Sequence, residues 1–270
     1  MPLKLMLVGS GKMGQAMLGG WIDEGQVRPG DVVVIDPNSE NLGVATGLGC
    51  QGIASPKDIP DGFQPDVIVL AVKPQMMTDV LPTFRTIVEK GPLVISIAAG
   101  TGIARFEKAL GSHAAIIRVM PNTPAAVRKG MMVCCSNDQV TPEQERHCDM
   151  LMAAIGSVFW IEDESLMDAV TGLSGSGPAY VFYMIEAMAA AGVSAGLPED
   201  LAVKLAEGTV AGAGALASQS KETAAELRRN VTSPNGTTAA GLEVLMADDG
   251  LGPLMRKTVA AATRRSKELG

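Results

Sequence analysis

A glycine turn near the start of the chain, set between a strand and a helix, constrains the fold more than any other feature. Leu3-Lys4-Leu5-Met6-Leu7-Val8 is a short apolar run of the kind that forms a buried strand. It empties into Gly9-Ser10-Gly11-Lys12-Met13-Gly14, a G-x-G-x-x-G, and Gln15-Ala16-Met17-Leu18 continues as helix. In that setting the first glycine permits a tight turn and the second lets backbone approach a pyrophosphate. The third lets helix and strand pack closely. The helix N-terminus offers unpaired N–H groups and a partial positive charge. A second apolar run, Val32-Val33-Val34-Ile35, ends on Asp36, 22 positions after Gly14. An acid about 20 residues on is where a dinucleotide's ribose hydroxyls are read. Without the strand and the acid, the same glycines would describe an ordinary turn.

The composition fits a soluble chain with a sizeable core: 47% hydrophobic and 19% charged over 270 residues. A formal charge of −7 argues against a nucleic-acid partner, which needs a basic face. Arg228-Arg229 and Arg264-Arg265 read as solvated or interface pairs. The four cysteines (Cys50, Cys134, Cys135, Cys148) lack C-x-x-C spacing, and His113 and His147 are the two histidines, which argues against a zinc site. Cys134-Cys135 reads as one thiol on each face of a strand. No secretory signal or membrane-length apolar stretch is visible, so the expected location is the cytoplasm, with reduced thiols.

Strand and helix alternate along the first half, the pattern of a parallel sheet with crossover helices. Further strands are predicted over Asp66 to Ala71, Leu93 to Ile97, Ala115 to Met120, Met131 to Cys135 and Val158 to Ile161. Helices are predicted over Glu40 to Leu48, Met76 to Val88, Thr101 to Leu110 and Pro142 to Ile155. Past Asp163 strand signals vanish. Ala-rich helices follow over Gly177 to Ala191, Pro198 to Ser218, Thr223 to Val231, Thr237 to Ala247 and Pro253 to Leu269. The expected architecture is α/β: a doubly wound, mostly parallel sheet over 1–163 and an all-helical domain over 164–270. Those helices carry more apolar surface than one thin domain can bury, which predicts self-association.

Ligands in open α/β sheets sit beyond the carboxyl ends of the strands. Ala71-Val72-Lys73-Pro74, Ala98-Ala99-Gly100 and Met120-Pro121-Asn122-Thr123-Pro124 all end predicted strands there. Lys73 can meet a phosphate or carboxamide, or be a solvated loop lysine. Asn122 can meet ribose or nicotinamide, or simply serve its turn. Two later turns open helices: Leu173-Ser174-Gly175-Ser176-Gly177-Pro178 and Ser233-Pro234-Asn235-Gly236-Thr237-Thr238. Each suits a small anion such as a carboxylate, or ordinary capping by Ser or Thr. There is no Ser-His-Asp order, no H-E-x-x-H and no phosphate loop of the GxxxxGK type. A chain with a dinucleotide fold and no strong acid or base points to an activated substrate such as an iminium, with the cofactor carrying the chemistry.

These motifs resemble the pyrroline-5-carboxylate reductase family. The resemblance runs from Gly9 to the last helix and is carried most specifically by Val170 to Tyr180 and Asn230 to Thr238. It implies an N-terminal Rossmann domain and a C-terminal helical domain interlocked with a partner's, in dimers often built into decamers. It implies reduction of 1-pyrroline-5-carboxylate to proline with NADPH or NADH. Thr238 then faces the ring nitrogen. The stretch Ser233, Asn235, Gly236, Thr237 and Thr238 holds the substrate carboxylate, with Ser176 nearby. Asn235 stands where many members have Gly, and Asn tolerates a positive φ better than most residues. The cofactor residues are Gly9, Ser10, Gly11, Lys12, Met13, Gly14, Asp36, Ala71, Val72, Lys73, Pro74, Ala98, Ala99, Gly100 and Asn122. Asp36 would accept a ribose hydroxyl and repel a 2′-phosphate, which favours NADH.

Three rival readings stand beside it, two enzymatic and one not. Hydroxyacid and 6-phosphogluconate-type dehydrogenases share the plan but place an acid–base lysine where this chain has Val181. Another cyclic-imine reductase differs only in pocket width. A nucleotide-sensing module would lack turnover, against which Ser176 and Thr237-Thr238 count.

Overall fold

The computed structural model describes residues 3–269. The apolar runs build one sheet from β1 (Leu5–Val8), β2 (Val32–Ile35), β3 (Gln51–Ile53), β4 (Val67–Leu70), β5 (Leu93–Ser96), β6 (Ala115–Met120), β7 (Gly130–Ser136) and β8 (Gly156–Trp160). Their order is β3-β2-β1-β4-β5-β6-β7-β8. Neighbours are parallel except β6 and β7, which run antiparallel with Ile117 opposite Ser136.

The continuous apolar runs follow from burial on both faces. Leu5, Leu7, Val32, Val34, Val67 and Val69 point into one core, which Trp21 enters from the first helix. Met6, Val8, Val33, Ile35, Ile68 and Leu70 point into the other, with Phe84 and Phe106. Each fully buried side chain of this size contributes ~1.5–3 kcal/mol. Trp21 also donates its indole N–H to the Leu151 carbonyl (2.8 Å), so its polar atom is satisfied. Cys134 and Cys135 divide between the two cores, as the alternation of a strand requires.

Between and after the strands run α1 (Lys12–Asp23), α2 (Ser39–Gly47), α3 (Met77–Val80), α4 (Arg85–Val88), α5 (Ile103–Leu110), α6 (Pro142–Ala153) and α7 (Met167–Val170). They are followed by α8 (Gly177–Ser194), α9 (Glu199–Gln219), α10 (Ala224–Asn230), α11 (Thr237–Leu245) and α12 (Leu251–Leu269). Three expectations are corrected. The helix expected over Met76 to Val88 is two short helices around a 3-10 turn, Leu81–Phe84, because Pro82 has no N–H for a helical bond. The edge strand β3 was unforeseen: it is three residues long with Gly52 at its centre and no apolar run. Helix α7 and the wide turn Thr171–Gly175 that follows it were also unforeseen.

The chain divides into two compact units. One runs to Gly175 and takes back the end of the chain from Ala262; the other is Ser176–Ala261. In the first, buried Arg118 pairs with Glu164 (2.9 Å), and the same carboxylate oxygen accepts the Ile103 N–H at the start of α5 (2.8 Å). In the second, α8 and α9 pack on small residues: a Cβ placed on Gly192 would stand 3.2 Å from that of Ala202. Its buried hydrophobic residues are Ala189, Ala202 and Ala206, whereas Phe182, Tyr183, Val244, Met246 and Leu254 are all exposed.

Candidate active site

The glycine turn has the geometry of a phosphate cradle. Gly9 sits at φ +95°, outside the range L side chains favour, and its Cβ would stand 2.8 Å from the Ala71 carbonyl. A Cβ on Gly14 would collide with the Gly9 carbonyl oxygen. A Cβ on Gly11 would meet nothing within 4 Å. Gly11 is therefore free of protein constraint, and its open side is where a pyrophosphate can come close. It also caps α1 with no side-chain hydrogen bond and no acid in the first turn, which leaves the helix N-terminus to an anion. Lys12 is exposed beside it, and Met13 packs against the core.

Asp36 lies at the end of β2, buried and turned inward. Its Oδ2 accepts the Ser10 N–H (2.7 Å) and the Asn41 side chain (3.1 Å), and its Oδ1 accepts the Asn38 N–H (2.8 Å). The acid thus organises its own loop and the glycine turn, which spacing alone did not reveal.

β4 lies beside β1, β5 and β6 follow it in parallel, and all three bring their loops to the same rim as the glycine turn. Ala71 donates its N–H to the Val8 carbonyl (2.8 Å), which fixes Ala71-Val72 against the glycine turn. Lys73 is exposed and opens the 3-10 turn Pro74–Met76. Ala98, Ala99 and Gly100 follow β5, with Gly100 at φ +69°. Thr101 was missed by sequence reading. Its hydroxyl is fully buried, and among the described residues it is the buried side-chain polar atom without a hydrogen-bond partner. An orphaned hydroxyl costs ~1–3 kcal/mol, which a bound polar group at this rim would recover. The open side of Gly11, the uncapped α1 and the Thr101 hydroxyl together fit a dinucleotide.

Asn122 is buried, and its carboxamide is spent on the protein. It donates to the Ser174 carbonyl (3.1 Å) and accepts the Met131 N–H (2.9 Å). Its side chain therefore ties the loop after β6 to Thr171–Gly175.

In the second unit, Ser176 precedes α8 and makes no capping hydrogen bond, and Pro178 occupies the first turn. Gly236 caps α11, again with no side-chain bond, so neither serine nor threonine hydroxyl is consumed as a cap. Asn235 adopts φ +58°, the left-handed conformation that Gly would otherwise supply. Gly236 donates its N–H to the Ser233 carbonyl (3.1 Å), closing the turn. Thr237 and Thr238 are exposed at the head of α11. A helix N-terminus with an uncapped first turn and free hydroxyls suits a carboxylate.

An NAD(P)-dependent oxidoreductase of the Rossmann-plus-helical kind is the class this fold and this rim define. The family model for pyrroline-5-carboxylate reductase dimerisation matches residues 164–269, and that for NADP oxidoreductase, coenzyme F420-dependent, matches residues 4–100. The chain is 42% identical to the pyrroline-5-carboxylate reductase of Synechocystis over 270 residues, 100% of this chain and 99% of the relative. It is 38% identical to that of Pisum sativum, over 98% of this chain and 95% of the relative. A solved pyrroline-5-carboxylate reductase from Coxiella burnetii superposes with a TM-score of 0.93 at 33% identity, covering 100% of this chain and 99% of that one. A Plasmodium falciparum pyrroline carboxylate reductase, solved with NADP bound, gives 0.86 at 31% identity, covering 99% and 98%. The chain belongs to the pyrroline-5-carboxylate reductase family.

Proposed function

We propose that this chain reduces 1-pyrroline-5-carboxylate to L-proline with a reduced nicotinamide dinucleotide, the closing reaction of proline formation. The observation that carries the reading is the open, uncapped glycine turn of a family member whose Ser176 and Thr238 hydroxyls are not used as helix caps. The nicotinamide supplies a hydride to C5 of the cyclic imine. The protonated imine is the better electrophile, and the Thr238 hydroxyl accepts its N–H and fixes the ring. The turn Ser233, Asn235, Gly236 and Thr237 holds the carboxylate through backbone N–H groups, with Ser176 contributing its hydroxyl. Such a site supplies orientation more than proton transfer.

The cofactor lies along Gly9, Ser10, Gly11, Lys12, Met13 and Gly14. Ala71, Val72, Lys73 and Pro74, then Ala98, Ala99, Gly100 and Asn122, line the rim, Asn122 through its backbone. For the ribose end we favour NADH. Asp36 and Glu40 both place negative charge beside the start of α2, and Asn38 already caps its Glu40 and Asn41 N–H groups, the donors a 2′-phosphate would need. Specificity constants for both cofactors, in wild type and Asp36→Ser, test this; a strong wild-type preference for NADPH overturns it.

We set the functional division at 163/164, a reading supported by the start of the helical family match at residue 164. The exposed apolar side chains of α8, α11 and α12 support self-association as a dimer, and larger rings of dimers fit the family. Among the described residues no helix is long and apolar enough to cross a membrane and all four cysteines are free, which supports a cytoplasmic setting. The deciding experiment adds pyrroline-5-carboxylate to the protein with NADH or NADPH and follows loss of nicotinamide absorbance. Oxidation of the cofactor is expected; its absence with both cofactors overturns the assignment.

A further inference from the structure

Asn41 sits in the first turn of α2, outside the glycine motif, and joins four segments. Its Nδ2 donates to Asp36 Oδ2 (3.1 Å) and its Oδ1 accepts from Gln15 Nε2 (3.4 Å). Its backbone N–H donates to Asn38 Oδ1 (3.2 Å), and its carbonyl accepts the Ser10 hydroxyl (3.5 Å). The neighbours close the same ring. Ser10 donates its N–H to Asp36, Asn38 donates its N–H to Asp36, and Gln15 Nε2 also donates to the Ser10 carbonyl (2.8 Å). Ser10 is fully buried within the ring and Asp36 nearly so.

We infer that Asn41 is a positioning residue for the dinucleotide, holding the glycine turn in its binding shape before the cofactor arrives. This rests on the cofactor reading above. A carboxylate offers about four lone-pair sites, and three of those on Asp36 are filled from within the protein. Asn41 holds one of them and also bonds Gln15, which lies in the first turn of α1 just past Gly14. Both polar atoms of its side chain are bonded to the protein, which makes holding the loop its role in the absence of ligand. Fixing a loop beforehand removes an ordering cost from binding. The glycine turn and the pyrophosphate are common to NADH and NADPH, so the effect falls on both cofactors alike.

The test measures Kd for NADH and for NADPH by nicotinamide fluorescence on the whole 270-residue chain. The variants are Asn41→Leu, which keeps the volume and removes the bonds, and Gln15→Met, which removes one donor to Asn41 and one to Ser10. Asn41→Leu should raise both Kd values about fivefold to tenfold, the loss of one or two hydrogen bonds, with their ratio held within about twofold. Gln15→Met should move both the same way by less. In steady state the change should fall on KM for the cofactor far more than on kcat. Circular dichroism melts identify a variant that has not folded, and the other variant then carries the test. Wild-type Kd values in both variants overturn the inference alone. A ratio shifted more than about fivefold also overturns it, because Asn41 would then be reading the ribose. A wild-type protein that binds neither cofactor overturns the cofactor reading itself.

Discussion

Asn122 Nδ2 donates to the Ser174 carbonyl across 52 positions of sequence, at 3.1 Å, while the same carboxamide accepts the Met131 N–H through Oδ1. The buried side chain stitches the end of β6, the start of β7 and the turn that runs into Ser176. Asn122→Leu should therefore strip the Met131 N–H and the Ser174 carbonyl of their partner, at a cost of ~1 kcal/mol, visible as a lower melting temperature. It should also lower kcat/KM for pyrroline-5-carboxylate, because the loop is released. Asn122→Asp retains the acceptor for Met131 but sets a carboxylate against the Ser174 carbonyl, and should rescue neither. A melt identical to wild type in both variants would count against the stitch.

The three glycines of the turn separate folding from binding. Gly11→Ala meets no protein atom and keeps φ −70°, so the variant should melt like wild type. Its methyl group occupies the side open to the pyrophosphate, so affinity for NADH and NADPH should fall by tenfold or more, on the order of 1.4 kcal/mol. Gly14→Ala drives a methyl into the Gly9 carbonyl and should destabilise the fold itself, by ~1–3 kcal/mol or more. Thermal melts beside cofactor titrations check both halves of this contrast.

Thr238→Ala should lower kcat on pyrroline-5-carboxylate by well over tenfold while leaving the melting temperature within a few degrees, since Thr238 is exposed and α11 is capped by Gly236. Thr238→Ser, which keeps the hydroxyl, should recover most of the rate. Equal kinetics for Ala and wild type would remove Thr238 from the chemistry.

The four thiols should be silent in the native protein. All are buried. Burial pushes the Cys50 thiol up to about 11, and a hydrogen bond with Cys134 (sulfur to sulfur 4.0 Å), followed by burial, raises that of Cys148. Thiolate is the reactive form, so a thiol-specific chromogenic reagent at neutral pH should titrate essentially none before denaturant and all four after it. The folded state holds the Cys50 proton more tightly than the unfolded state. That contribution is therefore full below the ordinary 9.0 and is lost as pH rises from there toward 11. Denaturant midpoints measured across that alkaline window should fall.

Much of this fold is legible in the chain because its strands are buried on both faces. Val32 to Ile35 and Val67 to Leu70 have no polar position to confuse with anything else. What escaped has physical causes. β3 borrows its pairing from β2 and carries no apolar signature of its own. The break at Pro82 was written in the sequence and outweighed by the apolar periodicity around it. At the site, glycine spacing located the turn, but hydrogen-bond direction lay beyond it. Asp36 and Asn122 read as ligands and are first of all internal acceptors and donors. Thr101 and Asn41 carry no motif; a hydroxyl just past Ala98-Ala99-Gly100 and an amide five residues beyond Asp36 acquire meaning only once neighbours are placed.

The reversal at β7 has a consequence for how this rim can change. A parallel successor to β6 would need a crossover of a dozen or more residues leading away to the opposite end of the sheet. Turning back at once keeps Pro121 to Lys129 in place as a short hem, with Met131 within reach of Asn122. Lengthening that hem would reshape the rim of the first unit while sparing the sheet, so insertions there are the change its strands would feel least.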